Sequence, residues 1–193
     1  MFRRRFHGAR RFFLIVPGIL VALALTGVLY QTLSVRRWST RFPPPGRLVD
    51  VGGRRLHLIC TGEGAPTVIF ESSGFGSSLG FDAVRAEVSI QTRACAYDRM
   101  EMAWSDAGDA VISAGLLADD LERLLDRARL APPYILVPAS IGGLTVELFA
   151  RRHPEQVAGL VFVDAAQSAL AERAALSRGV SIVQRTPSAA APG

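Results

Sequence analysis

Ser140 is the residue of this chain whose type and setting point most directly to chemistry. It lies in Tyr134-Ile-Leu-Val-Pro-Ala-Ser140-Ile-Gly142-Gly143-Leu144, where a short apolar run stops at small residues and a helical pattern begins at once. Tyr134 to Val137 is too short for a helix and reads as a buried strand. Ile141, Leu144 and Leu148 recur at helical spacing, and Pro154 closes the segment. A serine on the turn between such a strand and helix projects its hydroxyl above the sheet. The N–H groups that open the helix face the same space and can receive a developing negative charge. These are the parts of a nucleophile elbow, and the chemistry they serve is acyl transfer through a serine. In that role Ser140 is the nucleophile and the Ile141 N–H one oxyanion donor, while Gly142 and Gly143 permit close packing below the turn. The competing reading is an ordinary strand-to-helix turn, because pentapeptides of this kind are common.

The elements that must position Ser140 can be followed along the chain. Arg47 to Val51 and Arg54 to Cys60 read as a hairpin across Gly52-Gly53. Thr67 to Phe70 is a buried strand entering the Gly/Ser-rich loop Glu71-Ser-Ser-Gly74-Phe-Gly76, and Phe81 to Ile90 reads as a helix. Thr92 to Tyr97 is a further strand, ending in the polar turn Tyr97-Asp98-Arg99 ahead of Trp104-Ser105-Asp106. Leu117, Leu121, Leu124, Leu125 and Ala128 mark one face of a helix, with Asp119 and Arg123 spaced i,i+4 to pair on its exposed side. Pro132-Pro133 ends that helix before the serine strand, and Val157 to Asp164 is the last clear strand. A helix is expected over Gln167 to Leu176, and the end of the chain loses periodicity.

In this order and at these distances the pieces resemble the α/β-hydrolase family. The similarity is greatest to the branch with a Tyr-Asp-Arg turn and a segment like His153-Pro-Glu-Gln-Val-Ala-Gly-Leu-Val161, and it covers roughly residues 47 to 170. The resemblance implies an α/β fold, a mostly parallel sheet flanked by helices and truncated after the sixth strand; one transmembrane helix, read from the uncharged N-terminal stretch of residues 12–35, precedes it. It implies a second oxyanion donor on the Glu71-to-Gly76 loop, with Ser73 the best register and Gly74 the next. Glu71 stands where many relatives carry His and is expected either to bond within its loop or to be solvated. Asp98 and Arg99 are expected to fix a loop, as a local ion pair, and Glu147 to be a solvated or capping carboxylate. The chain also departs from the family. Pro138 replaces the usual Gly two residues before the serine, and is tolerable at a strand's last position, where it could stiffen the approach. Ala139 replaces a common His. Glu101 and Ala103 occupy a Gly-x-Gly, which costs energy if either position needs a positive φ.

A serine nucleophile requires a base, oriented by a carboxylate, and in this family both follow the serine. The chain contains only His7, His57 and His153. His7 lies in the basic N-terminus, His57 in an early hairpin strand, and His153 roughly 20 Å along the serine helix at ~1.5 Å per residue. None is expected to be the general base. Asp164, at the end of its strand, is a candidate acid, with a structural role the commoner one. Two readings follow: a membrane-anchored serine hydrolase of esters or related acyl compounds, incomplete in acid and base, or a non-catalytic remnant or binding module of the same fold. A serine at the elbow argues against the dehalogenase and epoxide-hydrolase branches, which use Asp there.

All 22 basic residues are Arg, and the net charge of +5 is unevenly placed. Eight Arg precede residue 42 and no acidic residue occurs before Asp50, so the remaining 14 Arg face 17 acidic residues, a net of −3. With no aromatic-basic stripe in the domain, nucleic acid is excluded as a partner. Scattered His and Cys give no metal-ligand spacing, and no loop cradles phosphate, so no cofactor is expected. At 193 residues and 49% hydrophobic, the chain can bury one good core. Residues 1–11 form a basic N-terminus, 12–35 an uncharged stretch long enough to cross a ~30 Å hydrocarbon core, and 36–46 a stiff Pro-rich linker. Pro17, Gly18 and Gly27 are tolerable in such a helix. The denser Arg cluster before it predicts a cytoplasmic N-terminus and an extracytoplasmic domain. The rival is a cleaved signal peptide ending near Ala22-Leu23-Ala24. Residues 47–170 then hold the partial hydrolase domain and 171–193 the start of a lid or a frayed tail. The family's sheet order makes the strands of Cys60 and Cys95 neighbours. Two buried thiols are the expectation, and a disulfide in an oxidising compartment the alternative.

Overall fold

The computed structural model describes residues 5–168 and 181–185, with side chains over 15–168. The chain divides into two compact units between Pro43 and Pro44. The first contains helix α1 (Arg5–Arg41), 37 residues long with Pro17 inside it. It extends beyond both ends of the expected 12–35 span. Hydroxyls of Thr26, Ser39 and Thr40 donate back to carbonyls three or four residues earlier, so polar residues within and beyond the apolar stretch are absorbed into the helix. Its segment from Ile15 to Arg41 is long and apolar enough to cross a membrane, and Ile15, Leu20, Leu25 and Leu29 are all exposed.

The second unit is built on a sheet in the order β1-β2-β4-β3-β5-β6-β7. Strand β1 (Arg47–Asp50) and β2 (Arg55–Thr61) form the expected antiparallel hairpin. Gly52 and Gly53 take φ of 99° and 90°, which side-chain-bearing residues rarely adopt. Strand β2 pairs antiparallel with β4 (Ala94–Tyr97), while β3 (Thr67–Glu71), β5 (Tyr134–Ser140) and β6 (Val157–Ala165) are all parallel. The sheet goes on to β7 (Ser181–Arg185), parallel to β6 with Gly159 opposite Ser181 and Val163 opposite Arg185. This corrects the lid-or-tail reading for those five residues. Their β-branched Ile182 and Val183 suit a strand, and pairing covers the outer edge of β6. The expected helix from Gln167 falls mostly outside the described residues; Gln167 and Ser168 are not helical.

Alternation along the strands places a core on each face. Leu56, Leu58, Ile69, Leu136 and Leu160 pack on one face with Leu121 and Leu124 of α3 (Ala114–Arg127) and with Val146 and Phe149 of α4 (Gly142–Arg152). Val68, Phe70, Ala96 and Val137 face the other way, against Val88 of α2 (Asp82–Val88) and Phe81 at its N-terminal end. Helix α3 is capped by Ser113, whose side chain accepts the Leu116 N–H. The Asp119–Arg123 pair does not form. Asp119 instead meets Arg152 of α4, and Arg123 lies 3.8 Å from Asp120, a buried carboxylate also held by Arg54. For Asp119 a contact between elements, and for Arg123 another contact on its own helix, replaces the i,i+4 pair, which is worth only a few tenths of a kcal/mol.

Cys60 and Cys95 are directly opposed on β2 and β4 and joined by a disulfide, with Cα atoms 4.1 Å apart. The expectation of two thiols is thereby corrected. Direct opposition brings the sulfurs within bonding reach.

Candidate active site

Strand β5 continues through Pro138 and Ala139 to Ser140, three residues further than its apolar run suggests. Pro138 lies opposite Glu71 of β3 and has no bridge partner on β6. Ser140 has φ of 50°, in the left-handed region that disfavours a residue with a Cβ. Its carbonyl accepts the Ala166 N–H at 2.7 Å, which fixes the turn against the end of β6. Gly142 and Gly143 then begin α4 under tight constraint. A Cβ on Gly142 would lie 2.6 Å from Glu71 Cγ, and one on Gly143 only 2.0 Å from the Ala166 carbonyl oxygen. Both positions therefore require glycine for close approach, as expected.

Ser140 opens onto a cavity of about 560 Å³ that it shares with Ser73, Gly74 and Ile141. The structure thus brings the nucleophile candidate and all three oxyanion candidates to one space. Gly74 is close enough to the elbow that an added Cβ would meet Ile141 Cγ2 at 3.3 Å. Neither the Ser73 nor the Gly74 N–H has a hydrogen-bond acceptor among the described residues. The other walls are Phe75, Ile112, Leu117 and Leu144, with Arg99, Ser113 and Thr145 adding polar groups.

The remaining candidates lie elsewhere. Asp164 is exposed, has φ of 45°, does not line the cavity, and its side chain bonds to nothing among the described residues. His57 is fully buried: its Nε2 accepts the Gly46 N–H at 3.2 Å, so Nδ1 carries the proton toward Asp98 Oδ2 at 2.8 Å. Both ring nitrogens are engaged, and His57 is a structural group. His153 packs on Phe149 and lies 3.3 Å from Glu122 at the far end of α4. The side chain of His7 lies outside those described. Among the described residues no group of three or more His, Cys, Asp or Glu is arranged to hold a metal.

The charged residues near the site are held differently from what their sequence neighbours suggest. Asp98 and Arg99 do fix loops, as expected, but not as a local ion pair. Asp98 takes His57 and the Ser78 N–H, while Arg99 donates to the Ser73 carbonyl and lies 3.5 Å from Glu71. Glu147 is buried and both of its oxygens accept the Ser168 N–H at 3.0 Å. Glu71 is neither solvated nor bonded within its loop: it is fully buried, and neither carboxyl oxygen has a hydrogen-bond partner. Desolvation pushes its pKa up to about 8, the nearby Arg99 charge opposing only part of the rise. Sequence reasoning ranked Glu71 by its loop. The signal it left unused was alternation: Thr67, Ile69 and Glu71 share the face covered by α4. Glu101 and Ala103 do take positive φ, 68° and 41°, so the non-glycine residues there are strained.

The fold of this unit, a mostly parallel sheet with helices on its faces, matches many solved structures. An enol-lactonase from Burkholderia xenovorans LB400 superposes with a TM-score of 0.59 at 24% identity, over 62% of this chain and 47% of that one. The chain has the α/β-hydrolase fold. A haloalkane dehalogenase from Agrobacterium tumefaciens C58 matches comparably, with a TM-score of 0.58 at 20% identity over 63% of this chain and 42% of that one. An α/β-hydrolase fold therefore does not by itself choose the reaction. In sequence, an uncharacterized protein of Schizosaccharomyces pombe is 32% identical, over 69% of this chain and 30% of that protein. The chain thus spans under a third of that relative's length and about half of the lactonase's. No protein-family model matches the chain.

Proposed function

We propose that this chain carries the nucleophile and oxyanion hole of a serine hydrolase acting on esters or related acyl compounds. The observation that carries the reading is Ser140 held at positive φ above β5, in one cavity with the unpartnered N–H groups of Ser73 and Gly74. An ordinary turn has no need to hold a serine in a strained conformation facing free donors, whereas acyl transfer needs both. Ser140 attacks the acyl carbon, and the developing oxyanion is received by Ile141 N–H with Ser73 or Gly74. The lactonase among the fold's matches supports acyl chemistry, since a lactone is a cyclic ester. A serine at the elbow disfavours the dehalogenase reaction.

The described residues offer no group to take the Ser140 proton, because His57 and His153 are committed elsewhere. That observation favours the second reading, a non-catalytic remnant or binding module, for these 193 residues by themselves. A fluorophosphonate probe separates the two. The 193-residue chain should label slowly and turn over no short acyl ester. A native polypeptide extended by a downstream segment with a late His should gain both activities, and lose both in Ser140→Ala. Robust Ser140-dependent hydrolysis by the 193 residues alone would show the base to be misassigned.

We further propose that α1 anchors the protein in a membrane, N-terminus in the cytoplasm and domain outside. The Arg asymmetry motivates the orientation, and the Cys60–Cys95 disulfide supports an oxidising compartment. Protease added to intact spheroplasts should digest the domain, and protection equal to a cytoplasmic control would sink the topology. A mature protein lacking its first 24 residues would favour the signal-peptide rival.

A further inference from the structure

The loop after β3 holds its free N–H groups in place through a side chain from the neighbouring strand. The Ser73 carbonyl accepts two donors, the Gly76 N–H at 3.0 Å and the Arg99 guanidinium. A trans peptide points its C=O and N–H in opposite directions. Fixing the Ser73 carbonyl toward Arg99 therefore aims the Gly74 N–H away from it, and Gly74 is the loop residue that abuts Ile141. Arg99 is itself nearly buried, at 6% exposure, with its Nε 3.5 Å from Glu71 Oε1. Glu71 in turn lies beneath the elbow, its Cγ against Gly142. One continuous line of contacts runs from the elbow through Glu71 and Arg99 to the oxyanion loop.

We propose that Arg99, beside Glu71, is the positioning residue of the oxyanion hole: its guanidinium locks the Ser73–Gly74 peptide so that the Gly74 N–H faces the acyl oxygen bound at Ser140. This rests on the serine-hydrolase reading of Ser140. Among the described residues, Arg99 is the only charged side chain acting on Glu71. The other neighbours are the Tyr97 phenol on β4, Pro138 on β5 and Gly142 on α4, all uncharged. While Glu71 is neutral, the guanidinium is directed at the Ser73 carbonyl alone. Once Glu71 ionises, near pH 8, its carboxylate draws on the Arg99 Nε, which has no hydrogen bond while Glu71 is neutral, and the pull on the guanidinium shifts the Ser73–Gly74 peptide that its other arm holds.

The experiment follows the Gly74 amide in the full chain, 15N-labelled in detergent micelles, from pH 6 to 9.5. The Gly74 nitrogen shift should titrate with a midpoint near 8, and the titration should vanish in Glu71→Gln and in Arg99→Ala. A flat wild-type shift, or a titration that survives Glu71→Gln, overturns the proposal even if Arg99→Ala fails to fold. The second arm measures the rate at which a fluorophosphonate labels Ser140, read by mass spectrometry over long incubation. Arg99→Ala should slow labelling by about 10- to 100-fold, somewhat less than the loss of an oxyanion donor outright, and Arg99→Lys should recover part of it. Equal labelling rates in wild type and a folded Arg99→Ala also overturn the proposal. A wild-type chain that resists the probe throughout sinks the serine reading instead, and the amide titration then decides the clamp by itself.

Discussion

Two buried acid–base pairs lie at the ends of adjacent strands and are treated in opposite ways. In the His57–Asp98 pair every polar atom is occupied. Gly46 and Asp98 take the two ring nitrogens, Ser78 N–H takes the second Asp98 oxygen, and Ser105 bridges His57 N–H to the Asp98 carbonyl. In the Glu71–Arg99 pair both carboxyl oxygens and Arg99 Nε lack a hydrogen bond. A satisfied buried network fixes one arrangement, while an unsatisfied one remains able to respond. The first pair ties the hairpin to the sheet, and the second lies under the cavity of Ser140. Polarity was spent on rigidity at one site and on poise at the other.

Removing a partner from the satisfied pair should give the largest effect. Asp98→Ala strands the His57 ring and the Ser78 N–H in the core and should cost about 3–5 kcal/mol, read as a fall in denaturation midpoint. A loss below ~1 kcal/mol would mean that the network is worth no more than a surface pair. The disulfide joins the same two strands. Opening its 35-residue loop with Cys60→Ser should cost about 2–4 kcal/mol, and reduction of the wild type should match the mutant.

The elbow glycines sharpen the contrast next. Gly143→Ala drives a methyl into the Ala166 backbone carbonyl and should cost about 1–3 kcal/mol. Gly142→Ala presses first on the Glu71 side chain, with the Ser72 carbonyl behind it, and should cost less. The reverse ranking would mean that Glu71 is the less movable of the two neighbours.

The smallest effect is a slope. Glu71 is protonated in both folded and unfolded states below its usual 4.5 and ionised in both above about 8. Between these values only the folded state keeps the proton, so stability should fall as pH rises through that window. Glu71→Gln should abolish the decline, matching wild type within about 1 kcal/mol near pH 5 and exceeding it at pH 9. A variant less stable than wild type at both pH values would show that Glu71 is ionised throughout, paired with Arg99.

The parts legible in the sequence were those written locally. Short apolar runs bounded by turn residues marked the first six strands, Gly52-Gly53 the hairpin, and the small residues around Ser140 the turn. What stayed hidden was the choice of partner over distance. Asp98 had Arg99 beside it in the chain, but the register of β2 on β4 delivers His57 from 41 residues away. Glu147 looked like a surface carboxylate because its acceptor role depends on where Ser168 folds back. The disulfide likewise depended on exact opposition of two strands, which composition does not specify. In each case the nearest residue in sequence was a poor guide to the nearest in space.

Ser140 also marks a place where folding and chemistry want different residues. A left-handed backbone costs an L-residue about 1–2 kcal/mol that glycine avoids. Ser140→Gly should therefore melt at a higher temperature than wild type while losing every reaction with the fluorophosphonate. A protein that grows more robust when its presumed tool is removed reveals that the tool was held against the grain of the fold, and the size of the gain measures how hard.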